Sequence, residues 1–359
     1  MRGPMTSRTG PAANTRARRG AAQTPLPGAA GAAGTPGTAP GAPHTGGMGL
    51  VTADVSVVAG SGGGGLESLE NFRDLAWALP GMRRGRVLRS AKPVQLSEDD
   101  ARTLTETMRI RDILDLRNPK ELSEDPPGSV LSADLRTVPY LRSWTGQIAT
   151  APLVRGSTKK NVVRHNVSFI SKLRYYSGML WHLPLLSTLY AALVVTFNRD
   201  AARECMVKEV NAGGLVLMYK TILDISRPEM AAALRIIVAC LEAGRPVLIN
   251  CSIGKDRTGI LSALVLSVAG ASDEQIIGDY HRSDNMAKVS IAGLEHRREL
   301  RGIDLTMFER APKHAIAGAL AYIRRRYGSV SGYLCATGFS HAEQARLRAL
   351  LIDVRPERI

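Results

Sequence analysis

Cysteine is scarce in this chain. Four residues, Cys205, Cys240, Cys251 and Cys335, are spread over 359 positions. They form no Cys-x-x-Cys pair and no Cys/His cluster, which excludes a disulfide framework and a structural zinc site. Acidic residues are missing from whole stretches. None precedes Asp54, although Arg2, Arg8, Arg16, Arg18 and Arg19 do, and none lies between Leu135 and Arg199. The leader also lacks a long apolar run, and with it the core of a secretory signal. Residues 1–65 are dominated by Ala, Gly, Pro and Thr, include Gly62-Gly63-Gly64-Gly65, and carry no periodic apolar pattern. Such a segment buries too little apolar surface to offset its conformational entropy and is expected to be disordered. Its Arg-rich, acid-free start also fits the composition of an organelle transit peptide. What remains, residues 66–355, suits one domain.

Against these absences stands one dense segment. The apolar run Pro246-Val247-Leu248-Ile249 leads into Asn250-Cys251-Ser252-Ile253-Gly254-Lys255-Asp256-Arg257-Thr258-Gly259, and residues 260–268 are apolar over helical length. A short buried strand, a turn and a buried helix are implied. The turn would aim successive N–H groups and the positive end of the helix at one point. Cysteine beside a helix N-terminus and cations commonly ionises at roughly 3.5–7.5, which suits Cys251 to nucleophilic attack on phosphorus. Arg257 would fork its donors onto phosphate oxygens. Ser252, Ile253, Gly254, Lys255, Asp256 and Arg257 are the expected phosphate-binding set. Within it Gly254 would let the backbone approach the ligand, and Lys255 would add a second cation for a multiply phosphorylated substrate. Thr258 would donate its hydroxyl to the sulfur, and Gly259 would let the helix pack closely on the sheet.

A nucleotide-binding loop fits worse, since it needs Gly-Lys-Ser/Thr and this chain reads Gly-Lys-Asp. A buried structural cysteine is the plain alternative for Cys251, and the agreement of strand, glycines and helix argues against it. Cys240 lies on an apolar helical pattern and is expected in the core. The chemistry needs no metal and no organic cofactor. A thiolate nucleophile does need a reducing compartment, so a cytoplasmic location, or an organelle interior, is expected.

The segment resembles the bacterial and fungal tyrosine phosphatases whose loop reads His-Cys-x-x-Gly-Lys-Asp-Arg-Thr-Gly. The resemblance extends to Asn71-Phe72-Arg73-Asp74, Arg86-Val87-Leu88-Arg89-Ser90 and Asp112-Ile113-Leu114-Asp115-Leu116-Arg117. It continues through Asp279-Tyr280 to Asn285, Tyr327-Gly328-Ser329-Val330, Gly332-Tyr333-Leu334 and Gly338-Phe339-Ser340. It implies a single α/β phosphatase domain, a mainly parallel sheet flanked by helices, with a helical lid inserted at 142–215. It further implies a phosphocysteine mechanism on phosphotyrosine proteins, extending to phosphoserine/threonine or phosphoinositide substrates. Asp256 and Asp115 are its candidates for the general acid, with Asp256 favoured and Asp115 supporting. The tryptophan-proline-aspartate motif of other tyrosine phosphatases is missing.

One position departs from that family. Asn250 stands where the family has the histidine credited with ordering the loop. A slower enzyme or one with a higher pH optimum is expected, and the alternative is an impaired module that only binds phosphorylated ligands.

Charge marks a second region. The net charge is +15, and nine Lys or Arg lie between Leu135 and Arg199, densest at Arg155, Lys159, Lys160, Arg164, Lys172 and Arg174. Residues 175–198 then carry no formal charge. Beside the lid reading, residues 155–198 suit an anionic membrane surface, because cations next to an apolar aromatic stretch favour the interface. A spanning helix fits poorly, since Pro184 and polar residues interrupt the run. Nucleic acid has charge in its favour but no recognisable motif, and is not expected as a partner. Strands are read at 87–90, 113–116, 135–138 and 247–250, with a helix at 228–242 and another starting at Pro312. Ser97 with Asp100 and Ser340 with Glu343 form helix-start pairs.

Overall fold

The computed structural model describes residues 66–126, 131, 135–143, 147–148, 162–284 and 301–353. The expectations for 1–65, Arg155, Lys159, Lys160 and Asn285 lie outside the described residues, as does part of 142–215. Six strands form one sheet: β1 (Arg73–Asp74), β2 (Val87–Ser90), β3 (Asp112–Asp115), β4 (Leu135–Pro139), β5 (Val162–Asn166) and β6 (Val247–Asn250). Their spatial order is β1-β2-β6-β3-β5-β4, antiparallel between β1 and β2 and parallel elsewhere.

The helices are α1 (Glu98–Arg102), α2 (Pro119–Ser123), α3 (Lys172–His182), α4 (Leu185–Val194), α5 (Arg199–Ile225) and α6 (Arg227–Glu242). They continue as α7 (Asp256–Ala269), α8 (Asp273–His281), α9 (Lys313–Tyr327), α10 (Val330–Thr337) and α11 (His341–Leu351). Helix α5 is broken at Gly214, whose φ of 52° and ψ of −149° are open essentially to glycine alone.

The period of two along the strands explains the layers. Val247, Ile249, Val87 and Leu114 point into a large core shared with α6, α7, α9, α10 and α11. Leu248, Leu88 and Ile113 point the other way, onto Leu104, Met108 and Ile110. A strand covered on both faces reads as a continuous apolar run, and that made β6 legible. Strand β5 is not: Val-Val-Arg-His-Asn offers no such run. Its polar half is accommodated by pairing, His165 Nε2 lying 2.9 Å from Asp112 Oδ1 and Arg164 Nε 3.6 Å from Asp115 Oδ2. Strand β1 has two residues and gives no pattern to read.

The helix starts fall where the capping patterns put them. Ser97 Oγ accepts from Asp100 N, and Ser340 with Glu343 forms a reciprocal box. The helix expected at 228–242 begins one residue earlier, at Arg227, and Pro312 caps α9 instead of lying in its first turn. Cys240 is fully buried in the core. Since β6 sits centrally between β2 and β3, everything emerging from its carboxyl end lies among loops from both neighbours.

Candidate active site

Residues 251–255 turn from β6 into α7 at that carboxyl end. Three loop carbonyls are drawn outward: Lys92 N donates to Ser252 O at 3.2 Å, Asn71 Nδ2 to Ile253 O at 2.9 Å, and Arg89 Nη2 to Gly254 O at 2.7 Å. In a trans peptide the next residue's N–H points opposite to the carbonyl. The amides of Ile253, Gly254 and Lys255 are therefore turned to the other, inner side of the loop. Helix α7 starts without a side-chain cap, so its first N–H groups and its positive end are left for an anion. Cys251 sits beneath, 1 % exposed.

The loop is braced from below. Asp279 accepts from Arg73 Nε at 2.8 Å and from Arg89 Nη1, which ties β1, β2 and α8 into one buried network. Arg73 is pushed down to about 10 by burial and by the neighbouring Arg89, with Asp279 opposing. The outlying motifs of the sequence, Asn71-Phe-Arg-Asp, Val-Leu-Arg-Ser and Asp279-Tyr, thus converge on the back of one loop.

Gly254 has φ +70°, and a Cβ there would lie 2.2 Å from Ser90 O. It is needed for contact with β2, because the crowding comes from the protein's own backbone. Gly259 faces Tyr280 of α8, whose Cδ2 would lie 3.0 Å from a Cβ, and Arg89 of β2, whose Nη2 would lie 3.6 Å away, so it admits both α8 and the sheet.

Two cations of the phosphate set are differently engaged than the sequence implies. Arg257 directs its fork at Glu121, Nη1 to Oε2 at 2.7 Å and Nη2 to Oε1 at 2.6 Å, and Nη2 also reaches Ser252 Oγ at 3.2 Å. Ser252 Oγ donates to the same carboxylate at 2.6 Å. Burial would raise Glu121, but the Arg257 guanidinium outweighs it and holds the carboxyl at about 2. Arg257 is lowered by burial and raised more strongly by Glu121, leaving it above its ordinary value. To hold phosphate, as the sequence implies, Arg257 would have to exchange these carboxylate oxygens for phosphate oxygens. Lys255 is 1 % exposed and donates to Phe308 O at 2.7 Å and Arg310 O at 2.9 Å. Its ammonium holds the 305–310 segment and is not turned to a ligand, since a buried ammonium must find acceptors where it lies.

The two candidate acids separate clearly. Asp115 is fully buried with both carboxylate oxygens on Arg117, at 2.8–3.2 Å, and Arg117 is held in turn by Asp125. Asp256, in the first turn of α7, keeps an 18 % exposed side chain. Its Oδ1 accepts from Tyr219 Oη at 2.7 Å, and Tyr219 Oη lies 2.6 Å from Tyr280 Oη. A phenol has one proton; Tyr219 spends it on Asp256, so Tyr280 is the donor to Tyr219. Burial, then the Asp256 and Tyr280 groups, push Tyr219 well above its ordinary value, so it stays a donor at every working pH.

Asn250 is fully buried. Its Nδ2 reaches Cys251 O at a long 3.4 Å, and its Oδ1 has no partner among the described residues. The hydrogen bond expected from Thr258 to the sulfur is not made. Thr258 Oγ1 is buried without a partner among the described residues, on the core side of α7 one turn before the equally unpartnered Ser262.

Sequence reading missed Glu121 and Tyr219. Glu121 carried a local signal, since Asn118-x-x-Glu121 is a capping box directly after the Asp-Leu-Arg strand end. Tyr219 carried none.

A buried thiol under an amide-lined turn, with a carboxyl and an arginine in the first turn of the helix that follows, defines a cysteine-dependent phosphate-ester site at the end of a parallel strand. The chain matches the tyrosine phosphatase family over residues 65–353 and belongs to it. It is a phosphoric monoester hydrolase of α/β fold. It is 28 % identical over 297 residues to the triple specificity protein phosphatase PtpB of Mycobacterium tuberculosis, covering 79 % of this chain and 96 % of that protein. A tyrosine-protein phosphatase of Nostoc commune is 30 % identical over 139 residues, 35 % of this chain and 45 % of that one. Among solved structures, the core catalytic domain of the PP-IP phosphatase SIW14 from S. cerevisiae, in complex with citrate, aligns with a TM-score of 0.29 at 16 % identity. That alignment covers 72 % of this chain and 93 % of the other.

Proposed function

We propose that the chain hydrolyses phosphotyrosine monoesters on proteins, with phosphoserine/threonine and phosphoinositide monoesters as further substrates. The observation that carries this reading is the outward pull on the carbonyls of Ser252, Ile253 and Gly254, which turns the following amides inward above Cys251. Cys251 attacks phosphorus as its thiolate; the S–P bond forms, the P–O ester bond breaks, and Asp256 gives its proton to the leaving oxygen. A water then attacks phosphorus and loses its proton to the Asp256 carboxylate. The S–P bond breaks, releasing phosphate and the thiolate. Arg257 and the loop amides hold the charge spread over the phosphoryl oxygens. Asp115 is a supporting residue, anchoring Arg117 beside the strand end. The acid-free stretch 155–198 supports a role at anionic membranes, where phosphoinositides lie.

The test is hydrolysis of an aryl phosphate by the full chain from acid to alkaline pH, beside Cys251→Ser and Asn250→His. Turnover abolished by Cys251→Ser is expected, with Asn250→His shifting the pH optimum by a modest amount. A wild type that is folded and inert, and becomes active only with Asn250→His, would make the chain a phosphate-binding module.

A further inference from the structure

The helices that follow β5 carry their apolar stripes on the wrong side for a folded domain. A surface helix normally turns such a stripe to the core. In α3 Tyr175 packs against the core, and the other inward contacts are polar or small: Arg174 donates to Glu229 at 2.6 Å, His182 Nε2 lies 3.1 Å from Asp224, and Gly178 packs under Ile225. In α4 Ser187 donates to Glu209 at 2.7 Å and Ala191 is buried. The large apolar side chains face solvent instead. Leu173, Trp181, Leu185, Leu186, Leu193 and Phe197 are each 70–88 % exposed. Single exposed apolar residues need no explanation, but an array of this size within one hairpin does.

The charge around the hairpin names the occupant. No acidic residue lies between Leu135 and Arg199, so nothing on α3 or α4 repels an anionic surface. Exposed Lys172 and Arg199 flank the apolar face at its two ends. Cations at the margins, with a tryptophan and leucines between them, are the composition of an element lying in a membrane interface. Neither helix is long and apolar enough to cross a bilayer.

We propose that the α3–α4 hairpin docks on an anionic phospholipid surface, with its outward leucines, Trp181 and Phe197 seated at the boundary between headgroups and acyl chains. Helix α5, which follows the hairpin, carries the Tyr219 that bonds Asp256, so docking takes hold of the insertion next to the site. The proposal deepens the phosphoinositide reading and rests on it for the substrate served, while the docking itself is read independently of turnover.

The experiment is co-sedimentation of the full chain with phosphatidylcholine vesicles, with and without phosphatidylserine, comparing wild type with the Trp181→Ser, Leu186→Ser double variant. Aryl phosphate turnover and melting temperature are followed in parallel. The wild type is expected to bind only the phosphatidylserine vesicles, more weakly as salt rises. The double variant should bind at least about tenfold more weakly, with turnover and melting temperature unchanged. Equal binding by the variant, equal binding to both vesicle types, or no binding would each overturn the proposal. So would a wild-type dimer that the double variant dissolves while vesicles go unbound, since the face would then belong to a second copy. Vesicle binding by a chain without turnover would leave docking standing and sink the enzyme reading.

Discussion

Tyr219 is the residue whose role follows most directly from geometry. It lies 37 positions before Asp256 in sequence, in the part of α5 that follows the Gly214 break, and gives its only proton to that carboxyl. A net hydrogen bond is worth about 0.5–1.5 kcal/mol, and this one fixes which oxygen of Asp256 remains for the leaving group. Tyr219→Phe should therefore lower kcat about tenfold for alkyl phosphates, whose leaving oxygen needs the proton. Aryl phosphates with a good leaving group should lose little, and KM should stay close to wild type. Equal losses on both substrates would mean that Tyr219 acts only through packing. Nothing in the sequence marks this residue, because an isolated tyrosine on a helix reads as core. Cys251, Asp256 and Arg257 were legible because one strand-turn-helix carries them in a few consecutive positions. Lys255 was legible as a cation but not in its direction, which is set by the carbonyls of Phe308 and Arg310 some fifty positions on.

At the scale of elements, the loop between β6 and α7 is shaped more by its neighbours than by its own sequence. Gly254 separates the two influences. Its φ of +70° alone would tax any other residue by about 1–3 kcal/mol. A Cβ there would in addition meet the Ser90 carbonyl at 2.2 Å, on a strand that cannot retreat because β6 and β1 hold it on both sides. Gly244, in the turn from α6 to β6, has a similar φ of +71° and nothing within 4 Å of a Cβ. Gly254→Ala should cost at least about tenfold in kcat/KM by displacing the amides over Cys251. Gly244→Ala should cost only about 1 kcal/mol of stability and leave activity alone. Measuring both, with melting temperatures, tells local strain from loss of the cradle; matching losses would refute the contact with Ser90 as the cause. The same contrast explains what could be read beforehand. Strands β2, β3, β4 and β6 and the helix caps follow from local pattern. Strand β5 and the bracing of the loop by Asn71, Arg73, Arg89 and Asp279 depend on pairings made only after the chain has folded.

Across the whole molecule, those pairings make stability depend on acid. Glu121, Asp112, Asp224 and Asp279 are each opposed by burial, which favours the neutral form. In each case the partners win: Arg257 for Glu121, His165 and Arg245 for Asp112, His182, Tyr322 and Arg326 for Asp224, and Arg89 with Arg73 for Asp279. All four sit below the usual carboxylate range. A depressed folded value means that the unfolded chain takes up protons first as pH falls. The contribution is thus complete above the ordinary carboxylate values of about 3.9–4.3, and it is lost as pH drops through the folded values. Asp74 runs the other way: burial raises it, against hydrogen bonds from the Gly85 and Ala76 amides, so its ionisation costs the fold a little at neutral pH. With these carboxylates outweighing Asp74, the urea midpoint should hold from neutral pH to about pH 5 and then fall steeply towards pH 2. Glu121 allows the cause to be isolated. Its displacement from 4.5 to about 2 corresponds to something on the order of 3 kcal/mol at neutral pH. Glu121→Gln keeps the shape and removes the charge, so it should destabilise the chain at pH 7, with the gap to wild type narrowing as pH falls. A gap that stays constant into acid would mean that the carboxyl is held by shape and hydrogen bonding alone, and that the charge of Arg257 is not what stabilises it.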